Sequence, residues 1–364
     1  MEQERNCHRR LVRYLRQTEA TTAASVDGVN QPSSSPLLSD RSGVARYGHF
    51  DNRVGPIRAI DHALRSPMGG VVTDEERDAA FRSFQFMGAV GENMAAGCAV
   101  THTIHGASAF AYLWADGVFT QLRLADRDGD TVAFAADPDY GTTVLSTGRG
   151  SVHMEADGSK KKLLVSSPDL SIELEFEDES VLRMCTPTGP TGWAYVQKVA
   201  AVPAFGSATT ANASVDFTAA DALAHHDYTT GFLRSETWWH WACVAARLPD
   251  GRRLGVNVSC GTNESGFREN GAWLDGQWLE LGGALFDFDA DQTEEPWEIT
   301  GTDGRFGLRF NAGHGYHARH ESDALSTNFH QLFGSFEGWI TTDDDKRLEF
   351  AAAPGFTESQ YLRW

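Results

Sequence analysis

Residues 236–260 read ETWWHWACVAARLPDGRRLGVNVSC. Two runs rich in aromatic and β-branched side chains flank Pro249-Asp250-Gly251. Proline fixes φ, aspartate bonds its own backbone and glycine tolerates positive φ, so these residues favour a tight reversal. The stretch predicts an antiparallel hairpin. Side chains alternate along a strand, so Thr237, Trp239, Trp241 and Cys243 share one face. Glu236, Trp238, His240 and Ala242 share the other. The Thr/Trp/Trp face is the expected barrel interior.

The same pattern continues in both directions. Downstream, AWLDGQWLEL turns at Asp275-Gly276, PWEITGTDGRFGLRF at Asp303-Gly304, and LFGSFEGWITTDDDKRLEF at Asp343–Asp345. Upstream, short alternating runs (TVAFAAD, SVHMEAD, KKLLVSS, LSIELEFED, VLRMCTP) follow one another between turn residues from residue 85 onward. Such a meander predicts β-barrels or sandwiches. No βαβ rhythm is present, which argues against a nucleotide-binding α/β fold. TDEERDAAFRSF, near 73–84, predicts a short helix with Thr73 as N-cap and Glu76 at the capping-box position. ADALAHHDYTTG, 220–231, also looks helical. Residues 1–20 suit a short basic helix, and 21–43 are Ser/Thr/Gly/Pro-rich and read as a linker. The expected organisation is an N-terminal segment 1–43, a first β domain 44–210 and a second 211–364.

Composition narrows the function. The chain has 364 residues and a formal net charge of −19, with no basic stripe of the kind nucleic-acid binding needs. Five cysteines without a C-x-x-C pair fit free thiols in a reducing compartment. The N-terminus lacks the apolar run of a signal peptide, and nothing approaches the roughly 18 apolar residues of a membrane span. A cytoplasmic protein is expected; oligomeric state is not legible. There is no G-x-S-x-G elbow, P-loop or G-x-G-x-x-G after a strand, so no cofactor is expected.

An ordered set of short matches points further. Asp227-Tyr228, Gly231, Arg234, Thr237-x-Trp239-x-Trp241-Ala242 and Gly255-x-Asn257 come first. Glu269-Asn270-x-x-Trp273-x-Asp275-Gly276, Pro296-Trp297, Gln331-x-x-Gly334-x-Phe336-x-Gly338 and Arg363-Trp364 follow. In this order they resemble the bacterial family labelled domain of unknown function DUF2804. The first half matches more loosely, through the segment containing Lys198. The resemblance implies a mainly β fold: two lipocalin-like antiparallel β-barrel or sandwich domains with a few short helices. More distantly, the chain is similar to the tandem lipocalin-like group containing carotenoid 1,2-hydratases and tocopherol cyclases. Those enzymes protonate or hydrate an isoprenoid C=C bond without a cofactor. Their catalytic residues are not visible here as a motif, so none is carried over.

Candidate site residues follow from residue type and face. Glu269 is the expected general acid, because a carboxyl in an apolar, aromatic cavity holds its proton to higher pH. Trp and Phe faces around it would stabilise a developing cation. Glu236 and His240 could flank one substrate as proton donor and acceptor. His102 and His105 lie on opposite strand faces, so one of them, His102, is a candidate lone acid–base group. His314, His317, His320 and His330 cluster in sequence without a zinc-binding spacing, so no metal is expected; His330 is a candidate cavity residue. Trp239, Trp241 and Thr237 are candidates to line a substrate. Asn257 and Asn270 are polar residues amid apolar strands and need partners or a ligand. Asp227 and Arg234 flank the junction, where they could fix the linker or orient a polar head.

The leading expectation is a cofactor-free acid–base enzyme on an apolar, isoprenoid-like small molecule. Hydration, dehydration, isomerisation and cyclisation all fit. The alternative is a non-catalytic lipocalin-like carrier of a hydrophobic ligand. A third reading is a structural or interaction protein whose barrels are filled.

Overall fold

The computed structural model describes residues 37–364 apart from 41, 105, 127–129, 219, 263–265 and 324. The expected N-terminal helix, most of the linker and His105 lie outside these residues. Within them, antiparallel pairing builds two curled sheets, each a half-barrel, and the expected mainly β architecture is present. One α-helix is described, Asp74–Ala80, with the reciprocal Thr73–Glu76 capping box in place. It stops where Phe81 opens a strand, three residues before the expected end. No helix among the described residues is long and apolar enough to cross a membrane.

The first sheet has 14 strands. Its central members are Gly106–Ala115, Met94–Thr103, Phe81–Gly91, Ala222–Phe232 and Trp193–Thr210, paired in that order. The last of these bulges at Ala201, whose φ is +58°. Its pairing with Ala222–Phe232 runs from Ala194 across the bulge to Pro203, and its pairing with Leu170–Glu177 covers Ala204–Thr210. The second sheet has 9 strands, centred on Arg253–Cys260, Glu236–Arg247, Arg347–Arg363, Ser326–Thr341 and Phe306–Glu321. The hairpins expected around 249–251, 275–276, 303–304 and 343–345 all form.

One sequence expectation is corrected. The helical-looking 220–231 is the strand Ala222–Phe232, paired along its length on both sides. Both of its faces are buried, so the period-2 signature is erased and the run reads ambiguously. Ala222, Ala224 and His226 point to the first core, and Leu223, His225 and Asp227 point the other way. Leu38, within the stretch read as a linker, is buried in a cluster with Val54, Ile57, Trp193 and Tyr195. The chain passes between sheets at 233–235, so Ala222–Phe232, which follows the boundary expected at 210, pairs in the first sheet.

Three cores result. Met87, Cys98, Leu113, Met154, Leu163 and Leu174 fill the first half-barrel. Val244, Val256, Trp297, Ile299, Phe310 and Phe336 fill the second. A third layer lies between the sheets: Phe86, Tyr112 and Trp114 from the first pack on Trp241, Cys243, Phe333 and Phe356 from the second. Burying each such ring contributes roughly 2–3 kcal/mol. The face holding Trp241 thus turns towards the first sheet, not into its own barrel, while Ala242, Val244 and Ala246 point inward. Alternation tells which residues share a face, but not which of two cores receives it.

Candidate functional site

The layer between the sheets holds the charge. Register places Ser259, Trp241, Glu358, Gln331 and Tyr316 side by side across the second sheet. In the first sheet, Lys198, Asp227, Phe86, Ala99 and Phe110 form the corresponding row. The rows touch: Phe86 lies edge-on to Trp241 at 6.0 Å, and Phe110 stacks on Tyr316 at 4.8 Å. Half-buried rings of Phe84, Phe110, Phe119 and Trp239 pack at the margin of this layer.

Lys198 is the hub. Its Nζ lies 2.9 Å from Asp227 Oδ2, 3.4 Å from Glu269 Oε1 and 4.3 Å from the centre of the Trp241 ring. All three charged side chains are buried. Burial alone would push the Lys198 ammonium down, but Asp227 and Glu269 beside it more than offset this and hold it above its ordinary value. Burial pushes Asp227 up, against the pull of Lys198. Glu269 accepts the Ser259 hydroxyl at 2.5 Å. Its backbone carbonyl accepts from Asn257 Nδ2 at 2.8 Å, while Asn257 Oδ1 accepts Trp241 Nε1–H at 2.7 Å. Asn257 therefore locks the Trp241 ring under the ammonium.

Glu358 completes the cluster. Trp239 Nε1–H donates to its Oε2 at 3.3 Å and Gln331 Nε2–H to its Oε1 at 2.8 Å. It makes no ion pair among the described residues. Burial pushes its carboxyl up to about 7, against the smaller opposing effects of those two donors and Lys198. Lys198 is taken by Asp227 and Glu269, so the Glu358 carboxyl meets its burial without an ion pair among the described residues. Gln331 Oε1, both ring nitrogens of His225 and Trp114 Nε1 are buried in this layer without hydrogen-bond partners among the described residues.

Several sequence candidates therefore converge: Glu269, Asp227, Asn257, Trp239 and Trp241 meet in one cluster. Glu269 does so in an ionic setting rather than the apolar one expected. Asn270 anchors the loop before Gly271–Leu274, accepting from Ser259 N at 2.7 Å and donating to the Gly282 carbonyl at 3.0 Å. Thr237 is buried near the end of its strand. Arg234 donates to the Thr188 and Thr262 carbonyls at 2.8 and 3.3 Å, tying down the passage between sheets, while Asp227 takes Lys198.

Others lie elsewhere. Glu236 is exposed and accepts the Tyr361 hydroxyl at 2.9 Å. His240, on the same face, packs among Phe286, Phe288 and Trp297. His102 stacks on Phe134 at 6.0 Å, and burial lowers its pKa. His330 faces His317, Nδ1 to Nδ1 at 2.6 Å, with Thr293 Oγ1 at 3.3 Å. Among the described residues no group of three or more His, Cys, Asp or Glu side chains is arranged to hold a metal ion.

Sequence reasoning did not select Lys198 or Glu358 as site residues. A lone lysine inside the apolar run WAYVQKVAAV was the available signal for the first. Glu358 gave none, since F-T-E-S-Q reads as an ordinary half-exposed strand.

The comparisons with known proteins agree with this frame. The family model described as Domain of unknown function (DUF2804) matches residues 81–364. No curated protein matches the chain. Among solved structures, CghA aligns with a TM-score of 0.51 at 13% identity, covering 90% of this chain and 96% of that one. CghA with Sch210972 gives 0.51 at 12% identity, covering 90% and 98%. Kievitone hydratase from Nectria haematococca gives 0.49 at 11% identity, covering 91% and 98%. These are likenesses of fold.

Proposed function

The chain belongs to the DUF2804 family, and from that premise we propose that it is an acid–base enzyme acting on an apolar small molecule between its two sheets. Glu358 is the proton donor. The observation that carries this reading is a buried carboxyl, titrating at about 7, set among aromatic rings beside an ion-paired lysine. A donor poised near neutral pH protonates a weak base such as an alkene or carbonyl most effectively. Trp239, Phe110 and Phe119, half-buried at the margin of the layer, would offer ring faces to a positive charge developing on carbon. Lys198, fixed by Asp227 and Glu269, keeps the net charge of the layer low and holds Trp241 in place. The Gln331 carbonyl and the His225 ring, which have no hydrogen-bond partners among the described residues, would accept a hydroxyl or return a proton. Hydration, isomerisation and cyclisation of a C=C bond all use this first step, and in the reverse of hydration the same donor would protonate the hydroxyl that leaves as water. An isoprenoid-like substrate suits the aromatic walls.

The test is solvent-proton transfer. Acyclic isoprenoid alkenes incubated with the protein in D2O should yield products with deuterium fixed on carbon, and Glu358→Gln should abolish this while leaving binding intact. Binding without deuterium incorporation by the wild type would make the chain a carrier. Unchanged turnover in Glu358→Gln would remove Glu358 as donor.

A further inference from the structure

A cavity of about 650 Å³ opens beside the first half-barrel, and Leu182 on its lining pairs with Lys198 across the sheet. Phe50, Arg53, Asp139, Tyr140, Asp178 and Trp278 are among its lining residues. Its size suits a small molecule. One wall comes from the second sheet, whose hairpin at Asp275-Gly276 reaches over the first. Trp273 Nε1 donates to the Ser180 carbonyl at 2.8 Å, and Trp278 packs against Trp273 at 4.7 Å.

The polar groups here form a built site. The Asp139 and Asp178 side chains are 5% and 1% exposed. Asp139 Oδ1 accepts from Gln197 at 2.9 Å and from Arg183 at 3.1 Å. Its Oδ2 accepts no hydrogen bond among the described residues, and its nearest cation is Arg53 at 3.9 Å. Asp178 Oδ2 lies 3.1 Å from Lys161 Nζ and 3.5 Å from His226 Nδ1, while Oδ1 accepts nothing among the described residues. Each cation nearby already has an anion: Arg53 bonds Asp137, Arg183 bonds Asp139, and the buried Lys161 bonds Asp178 and the Gly158 carbonyl. The lining carries Asp51, Asp139 and Asp178 against Arg53 and Arg183, with Lys161 and His226 lying against Asp178. Buried carboxylate oxygens without donors cost free energy until a donor arrives. Tyr140 and Trp278 supply ring faces, and Tyr140 already carries Arg53 over its ring at 4.5 Å.

We propose that this cavity is a second small-molecule site, distinct from the layer between the sheets, and that it takes an organic cation. An ammonium or amidinium head sits against the acidic lining of Asp51, Asp139 and Asp178, and its apolar body lies against Tyr140, Trp278 and Phe50. The requirement is for a donor with positive charge, because an anionic ligand would meet two carboxylates.

Calorimetry and saturation-transfer NMR on the full chain test this with three probes of similar shape: phenethylammonium, 2-phenylethanol and 3-phenylpropionate. Phenethylammonium should bind saturably at one site, at least tenfold more tightly than 3-phenylpropionate. Asp178→Asn should weaken it at least tenfold and Tyr140→Ala, at a half-exposed ring, at least threefold. Glu358→Gln should leave it unchanged, which separates this site from the proposed catalytic one. If Asp178→Asn fails to fold, Tyr140→Ala carries the test. No saturable binding, binding of 3-phenylpropionate as tight as that of the ammonium, or full affinity in Tyr140→Ala would overturn the proposal.

Discussion

Glu358→Gln should stabilise the protein at alkaline pH and leave it unaffected at acid pH. The native state holds the Glu358 proton up to about 7, against an ordinary value of 4.5. Below about pH 4.5 the carboxyl is neutral in both folded and unfolded chains and costs nothing. Through the window from 4.5 to 7 the unfolded chain releases the proton first, so stability falls as pH rises, and above 7 the full cost is present. At about 1.4 kcal/mol per pH unit this amounts to about 3 kcal/mol. Glutamine removes the ionisation and keeps the shape. Its Oε1 can accept from Trp239, and its Nε2 can donate to Gln331 if that amide flips, which uses the Gln331 oxygen now without a partner. Urea unfolding at pH 5 and pH 8.5 measures the difference. Glu358→Gln should gain about 3 kcal/mol on wild type between the two conditions. A difference that does not change with pH, or a loss at pH 8.5 as large as at pH 5, refutes the assignment of a buried proton to Glu358.

Other consequences are as direct. Lys198→Met strands Asp227 and Glu269 without their cation and should cost about 3–5 kcal/mol in chemical denaturation, with part of the loss recovered by Asp227→Asn in the same chain. His225 is buried between the sheets, and burial presses its pKa down to about 3. The unfolded chain therefore takes up that proton first as pH falls below 6.5, so His225→Phe should flatten the loss of stability between about pH 6.5 and 3, read from thermal melts. Gly255 lies against the Ala201 bulge, where a Cβ would come within 2.7 Å of the Ala200 carbonyl oxygen. Gly255→Ala should push the sheets apart and cost about 1–3 kcal/mol in urea unfolding, with no comparable effect from alanine at the open position Gly189.

How legible was this in the sequence? The hairpins were, because their turns carry their own chemistry: Asp275 and Gly276 sit at φ +47° and +78°, conformations that aspartate and glycine accept. The capping box at Thr73–Glu76 was legible for the same reason, since its hydrogen bonds span only three residues. The strand 222–232 was not, because burial on both faces removes the alternation that marks a strand. Half of the site was legible through polar residues in apolar surroundings, notably Asn257 and Glu269. Glu358 was hidden because its burial depends on register: it lies between Trp241 and Gln331 only once three distant strands are paired. Lys161 and Asp178 were hidden likewise, as EADGSKKK reads as a solvated turn until the barrel closes over it.

The central claim is that a carboxyl between the two sheets carries a proton at neutral pH. Carbon-13 NMR of protein labelled at the glutamate side-chain carboxyls, with Glu358→Gln to assign the resonance, measures it directly. The account predicts that the Glu358 resonance titrates with a midpoint near pH 7. A midpoint at or below the ordinary value of 4.5 would contradict it.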